Sequence, residues 1–195
     1  MKKILLIIII TFSFQTLTKS NDIEEFEIEG ISLGKSLFKY YSKKEIDNIS
    51  DNKKVFYPNK DFYDLQLDVA NFEIWPVLSF SFKKNDDNLI IYALAGGQNM
   101  NIKECNKKKE VIIQDLKNSF FSDLKEEKYD FTYKDIGDGK SIAFISDFFL
   151  KNGRLRVYCT DWSKKTSDET GYDDSLRLEI GTTEYFDWLN TKAFN

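Results

Sequence analysis

Apolar and polar residues alternate along much of this chain, and the alternation predicts a set of strands. Leu176, Leu178 and Ile180 are separated by polar residues, which is typical of a strand with one buried face. Similar patterns predict strands at 26–28, 63–70, 77–83, 89–95, 141–150 and 154–162. Two turn signals, Asn85-Asp86-Asp87-Asn88 and Asn152-Gly153, each predict a hairpin.

Apolar residues spaced three or four apart predict helices. The strongest helix is 101–124, where one face carries Ile102, Cys105, Ile112, Leu116 and Phe120. A shorter helical stretch is predicted after Gly34, and Ser42 with Glu45 then forms a capping-box pattern. Thr182 is placed to cap a final helix with an apolar face.

Runs of strands joined by short turns favour an antiparallel sheet that buries one face against helices. We therefore predict an α+β fold, with an antiparallel β-sheet and the helices packed on one face. No proline- or glycine-rich linker divides residues 21–195, and a length of about 175 residues suits a single domain.

The first twenty residues have the layout of a secretory signal peptide. Lys2 and Lys3 give a positive start, residues 4–14 are apolar, and residues 15–20 are small or polar. The apolar run is shorter than the roughly 20 residues needed to span a bilayer. We predict a signal peptide at 1–20, cleavage after Ser20, no stable membrane span after cleavage, and localisation in the periplasm or outside the cell.

Composition narrows the classes of function. The formal net charge is −4, and loss of the three lysines of the leader takes it to about −7, which argues against nucleic acid or anionic lipid as a partner. The chain has no His and two Cys. Because His is the usual base near neutral pH and the commonest transition-metal ligand, we predict no metal site and no cofactor, and assign no catalytic residues.

The two cysteines are predicted to meet. Cys105 lies on the apolar side of the 101–124 helix and Cys159 on the apolar face of its strand, so packing of helix on sheet brings them together. Two apposed cysteines in an exported protein normally oxidise, which predicts a Cys105–Cys159 disulfide. The alternative is a pair of buried free thiols that pack as small hydrophobic groups.

The hairpin at Asn152-Gly153 acquires a definite register if these two residues form the turn. Lys151 then lies opposite Arg154, and the apolar residues of both strands share one face. Asp147 falls on the other face, opposite Tyr158.

All three arginines of the chain fall on that second face, beside two aromatic residues. Guanidinium groups and aromatic rings are enriched in binding hot spots. The predicted binding surface is therefore Arg154, Arg156, Tyr158, Trp162 and Arg177. The alternative is cross-strand pairing of the arginines with Asp147 and Glu179 on a solvated sheet face.

Two kinds of motif resemble ligand sites but lack a required element. Gly30 and Gly34 are separated by three residues, whereas a phosphate-binding loop needs four between its glycines, so a simple turn is predicted. The acidic segments 135–139 and 168–174 lack the spacing of a calcium loop. They are predicted to be surface connections, with opportunistic calcium binding as the alternative.

Five short segments and Cys105 together form a characteristic pattern. They are Ile28-Glu29-Gly30-Ile31-Ser32-Leu33-Gly34-Lys35-Ser36-Leu37, Tyr40-Tyr41-Ser42, Cys105, Cys159-Thr160-Asp161-Trp162-Ser163, Leu176-Arg177-Leu178 and Phe186-Asp187-Trp188-Leu189. The pattern resembles a family of small exported proteins from Pelagibacter-type marine bacteria. The resemblance implies export but brings no known activity, so no residue role is transferred.

Export, the lack of a catalytic set and the arginine–aromatic face favour a non-enzymatic binding or adaptor domain for an envelope or periplasmic protein. The first alternative is a small-ligand carrier, which needs a pocket with a few polar groups. The second is a carboxylate-based hydrolase, which needs two acidic residues with separated pKa values in one cleft. The oligomeric state is left open.

Overall fold

A computed structural model describes residues 22–48, 53–68, 74–119 and 125–194 of the chain. The predicted signal peptide at 1–20 lies outside these residues, as do the ends of the predicted 101–124 helix and 63–70 strand. No helix within the described ranges is long and apolar enough to cross a membrane.

The described residues contain ten strands, eight of which form one antiparallel sheet. The order across the sheet is β3-β4-β5-β6-β10-β9-β8-β7, so two four-stranded meanders meet where β6 pairs with β10. The first meander is β3 (Lys54–Phe56), β4 (Phe62–Asp68), β5 (Val77–Lys83) and β6 (Ala93–Asn99). The second is β7 (Glu126–Thr132), β8 (Ile142–Leu150), β9 (Gly153–Asp161) and β10 (Ser175–Thr182). The remaining pair, β1 (Glu27–Ile28) and β2 (Ile31–Ser32), makes a small separate hairpin.

Two helices begin at the predicted caps, whereas the helix at Lys164–Thr170 was not predicted and takes up part of the 168–174 segment, which was predicted to be a surface connection. The helices are α1 (Lys43–Asp47), α2 (Ile102–Ser119), α3 (Lys164–Thr170) and α4 (Thr183–Thr191), with 3₁₀ turns at Ile23–Glu25 and Leu37–Lys39. Ser42 and Glu45 form the predicted capping box before α1. The Thr182 hydroxyl accepts a hydrogen bond from the Tyr185 N–H and caps α4, as predicted.

The two faces of the sheet differ sharply, and we call them the apolar face and the polar face. The apolar face carries Leu78, Phe80, Leu94, Leu155, Val157 and Leu176, all at most 1% exposed. Helix α2 packs on this face against β9 and β10. The Sγ atoms of Cys105 and Cys159 lie 1.95 Å apart there, at disulfide distance, as predicted.

The predicted α+β class and the antiparallel sheet are confirmed, and the helices divide between the two faces. Helix α4 packs at one end of the polar face. A Cβ at Gly181, which lies on that face of β10, would be 2.8 Å from the Phe186 ring. Tyr185, Phe186 and Trp188 of α4 form a second core there with Phe62.

The β8–β9 hairpin pairs in a register two residues away from the predicted one, so that prediction was wrong. Lys151 and Asn152 form the turn, and Leu150 pairs with Gly153. Gly153 is the first residue of β9, and the crowded backbone there requires glycine, since a Cβ would lie 2.3 Å from the Gly181 carbonyl oxygen. A two-residue shift leaves every side chain on its predicted face, but moves Asp147 opposite Arg156.

The region around residues 34–37 and 84–92 also differs from prediction. Strand β6 begins at Ala93 instead of residue 89, and the predicted helix after Gly34 is only a 3₁₀ turn. The cause is a set of backbone hydrogen bonds between the two segments. The Leu37 N–H donates to the Leu89 carbonyl at 2.9 Å, and the Ile91 N–H donates to the Lys35 carbonyl at 3.0 Å.

Candidate functional site

Charged residues on the polar face are grouped around a buried carboxylate. Asp147 is 1% exposed, and its Oδ1 accepts from Arg156 Nε at 2.7 Å. Its Oδ2 accepts from Arg156 Nη2 at 3.0 Å and from Arg154 Nη1 at 3.1 Å. The Tyr129 hydroxyl donates to Oδ2 at 3.0 Å and accepts from Arg156 Nη2 at 2.9 Å. The bidentate contact between Asp147 and Arg156 is the strong form of this ion pair.

Helix α4 shields this group from solvent with the ring of Phe186. The guanidinium carbon of Arg154 lies 4.8 Å from the centroid of that ring, and that of Arg156 lies 5.0 Å from it. Arg154 also lies 4.7 Å from the Phe149 ring centroid. Both arginines therefore have an ion-pair partner and an aromatic contact, and they serve to hold β8, β9 and α4 together. The alternative prediction, cross-strand pairing of arginines with Asp147, is present for Arg154 and Arg156, but on a face that is buried at this position instead of solvated.

Arg177 and Glu179 are in a different situation. They project from neighbouring same-face positions of β10, and Arg177 faces Tyr158 across the β9–β10 ladder. Within the described parts of the chain, neither the Arg177 guanidinium nor the Glu179 carboxylate makes a hydrogen bond or an ion pair. Glu179 is nevertheless only 8% exposed. A buried carboxylate normally has a direct hydrogen-bond partner, so Glu179, with the half-buried Arg177 beside it, is the anomaly of the polar face.

Small residues lie directly beside this pair. Gly97 and Ala95 of β6 face Arg177 and Glu179, and Ser79 of β5 lies next to Ala95. The side chain of Arg177 lies over Gly97, where a Cβ would be 3.9 Å from Arg177 Nε. Three neighbouring positions in the middle of the polar face therefore have almost no side chain. We call this part of the face, together with Tyr158, Arg177 and Glu179, the Arg177 recess.

A second, half-buried carboxylate, that of Asp64, lies on the far side of the recess. The Ser81 hydroxyl donates to Asp64 Oδ1 at 2.6 Å, and the Tyr57 hydroxyl donates to Asp64 Oδ2 at 2.6 Å. Burial raises the pKa of Asp64, while the two hydroxyl hydrogen bonds and the charge of Arg177 act against that rise. Asp64 is therefore held on the rim of the recess by two donors.

Burial also dominates the titration of the recess itself. It raises the pKa of Glu179, an effect that the positive charges of Arg156 and Arg177 partly offset. The same cause raises the pKa of the Tyr158 hydroxyl. The recess therefore favours either a proton on Glu179 or a bound group that donates to it.

Trp162 lies apart from the arginines, at the end of the polar face away from α4. Its ring stacks on Tyr133, with centroids 4.9 Å apart, and contacts the tilted ring of Tyr172 at the same centroid distance. Burial raises the pKa of Tyr133, whose hydroxyl is oriented towards Thr160. The stack therefore forms a wall at this end of the polar face. Of the five predicted binding residues, only Tyr158 and Arg177 lie in the recess.

An open cleft of about 770 Å³ lies on the outer side of α4, lined in part by Phe62, Lys83, Glu184 and Trp188. An ion pair between Lys83 Nζ and Glu184 Oε1, 2.7 Å apart, joins its two sides. The other charged residues that line this cleft are exposed to solvent, namely Asp61, Lys84, Asp187 and Lys192, so we place the candidate site at the less exposed Arg177 recess.

Sequence reasoning missed the rim and the floor of the recess. In the sequence, Asp64 looks like any other polar residue of an alternating strand. The two hydroxyl groups that donate to it come from separate segments. The one available signal was Ala95-Gly96-Gly97, a run of small residues inside a strand, which often marks close approach of another group. No group of three potential metal ligands occurs among the described residues.

Comparison of the chain with protein-family models, with curated proteins and with solved structures returned no match. The resemblance to the exported marine family stays a prediction, and the function is argued from the site alone.

Proposed function

We propose that the protein binds a small organic acid that also carries an amino or hydroxyl group, held in the Arg177 recess. The observation that carries this proposal is the pair of adjacent charged groups, Arg177 and Glu179, which act on each other electrostatically but make no hydrogen bond to other described residues. Both lie between α4 and the aromatic wall and are thus sheltered from bulk water. This is the small-ligand carrier among the alternatives named above.

The chemistry of the two side chains selects the ligand class. A guanidinium group presents a planar fork of donors that matches a carboxylate. Glu179 offers acceptors to an ammonium or hydroxyl group. Residues two apart on a strand have Cα atoms about 7 Å apart, which one small molecule with groups at both ends can span. Amino acids and hydroxy acids meet both requirements.

A carboxylate-based hydrolase has less support. A glycosidase pair needs two carboxyl groups about 5–9.5 Å apart. Asp64 and Glu179 lie on strands separated by β5 and β6, and both oxygens of Asp64 already accept hydrogen bonds, from Tyr57 and Ser81. Asp147 lies nearer to Glu179, but Arg156 is between them and binds Asp147. Neither of these two pairs therefore has both carboxylates free for this chemistry.

The adaptor role for an envelope protein is the second candidate. It rests on the export prediction and on the exposed Tyr172, which is 48% exposed beside Trp162. Arg154 and Arg156 would have to leave Asp147 to reach a partner, which is costly for buried charges. This role would be supported if the wild-type protein retained a partner protein from an envelope extract and a Trp162→Ala variant did not.

Thermal unfolding with a panel of amino acids, hydroxy acids and neutral sugars tests the ligand proposal. A ligand at one hundred times its Kd stabilises a protein by about 2.7 kcal/mol. For a chain of this size that corresponds to a rise in Tm of about 5–10 °C. We expect this rise for at least one amino or hydroxy acid and none for the sugars.

Two variants decide whether Arg177 is responsible. Arg177→Gln should weaken binding about 10- to 100-fold, since it removes a charge-assisted bidentate contact. Lys103→Gln removes one positive charge from the exposed side of α2 and should leave the Tm rise unchanged. An unchanged rise in Arg177→Gln, or no rise for any acid in the wild-type protein, would refute the proposal.

A further inference from the structure

Strand β7 (Glu126–Thr132) ends the sheet, and no strand in the described ranges pairs with its outer edge. It is seven residues long and contains neither proline nor glycine. The opposite edge strand, β3, has three residues. A long free edge exposes N–H and C=O groups that act as a template for another strand, which is why most proteins shorten, interrupt or cover such edges. We propose that β7 pairs with β7 of a second copy of this chain, forming a two-fold symmetric dimer.

The charges of β7 select one register for this pairing. A two-fold axis normal to the sheet makes the strands antiparallel and pairs residues of equal parity. With the axis at Tyr129, Lys128 of each copy faces Asp130 of the other. With the axis at Lys128 or at Asp130, two like charges meet on the axis, which is unfavourable. Of these three central registers, only the one at Tyr129 pairs opposite charges.

The same register covers exposed aromatic side chains. Tyr129 is 40% exposed and Phe131 is 50% exposed, and both project from the polar-face side of β7. In the dimer the two Tyr129 residues are directly opposite, and each Phe131 is diagonal to the Tyr129 of the other copy. Aromatic rings at opposite and diagonal positions interact across paired strands. The pairing of Lys128 with Asp130 on one side of the sheet and the aromatic contacts on the other side therefore favour the same register.

Sedimentation velocity on the purified protein, from micromolar to submillimolar concentration, tests the proposal. We expect a concentration-dependent shift to twice the chain mass. Lys128→Glu and Asp130→Lys each place like charges opposite each other at two symmetric positions, and each should weaken dimerisation about tenfold or more. The double variant Lys128→Glu/Asp130→Lys restores opposite charges and should dimerise within about threefold of wild type.

Two controls separate pairing from general effects. Lys164→Glu makes the same charge change at an 88% exposed side chain on α3 and should leave dimerisation unchanged. Amide hydrogen exchange should show protection of β7 that grows with protein concentration, while β3 shows none. A monomer at every concentration, or a double variant no better than the single ones, overturns the proposal. A persistent monomer would point to a strand from a different polypeptide as the occupant of this edge.

Discussion

Asp147 offers the sharpest test of how the polar face is held together. It is 1% exposed and accepts four hydrogen bonds, from Arg154, Arg156 and Tyr129. Replacement by Ala removes every one of these contacts at once. It leaves Arg156, which is 9% exposed, as a buried charge without its main partner.

The size of the effect follows from that unpaired charge. Removing one partner of a buried ion pair costs about 3–5 kcal/mol, because the other partner stays desolvated. We expect the lower end of this range for Asp147→Ala, since the side chain of Arg154 is 16% exposed and regains some water. A loss of about 3 kcal/mol lowers the Tm of a chain of this length by about 6–12 °C. Asp147→Asn keeps the shape and should lose about 1–2 kcal/mol.

Urea unfolding without reductant, followed by tryptophan fluorescence and far-ultraviolet circular dichroism, measures these losses. Asp168→Ala is the matched control, because Asp168 pairs with Lys164 on the surface with its side chain 63% exposed. We expect that control to change the free energy of unfolding by less than about 0.5 kcal/mol. If Asp147→Ala stays within about 1 kcal/mol of wild type at an unchanged m-value, the polar face is not held by this group and the reasoning is refuted.

Three further predictions concern the core and the recess. Replacing both Cys105 and Cys159 by Ala should lower the free energy of unfolding by about 4 kcal/mol, because the pair is separated by 54 residues in sequence; equal urea midpoints with and without reductant would contradict this. Gly153→Ala should lower the free energy of unfolding by about 1–3 kcal/mol, since its Cβ would meet the Gly181 carbonyl. The control is Gly171→Ala, at a φ of 74° in open space, which should cost about 1 kcal/mol. Equal losses in the two variants would contradict the claim that the backbone is crowded at Gly153. Burial raises the pKa of Glu179 in the folded state, so its contribution to stability is present at low pH and lost as pH rises through the folded pKa. Glu179→Gln should therefore be more stable than wild type at pH 7 and lose that advantage below about pH 4, as urea titrations at the two pH values would reveal.

Features with a local cause could be predicted from the sequence. The caps at Ser42 and Thr182 depend on residues three apart, and both are present. The meeting of Cys105 with Cys159 followed from two periods, 3.6 in a helix and 2 in a strand, which assign each cysteine to a face without knowledge of its neighbours. The face of the sheet on which each side chain of β8 and β9 lies was predicted correctly, although the residue pairs between the two strands were not.

Features that depend on distant segments could not be predicted. Gly153 was read as a turn residue, but the Gly181 carbonyl and Ile23 exclude a side chain there, and both come from other parts of the chain. Strand β6 starts four residues later than expected because residues 34–37 take up the backbone groups of residues 89–91. Register and strand ends are set by such contacts, which periodicity does not encode.

For this protein, the sequence by itself determined which side chains share a face, since the alternation along each strand and the spacing in α2 depend only on backbone geometry. The tertiary structure decided which charges on the polar face are satisfied. Asp147 bonds with Arg154 and Arg156 because of the hairpin register and the cover of α4, whereas Arg177 and Glu179 border small residues from β5 and β6. The contrast between paired and unpaired arginines comes from the order of strands in the sheet, a long-range property that no local pattern contains.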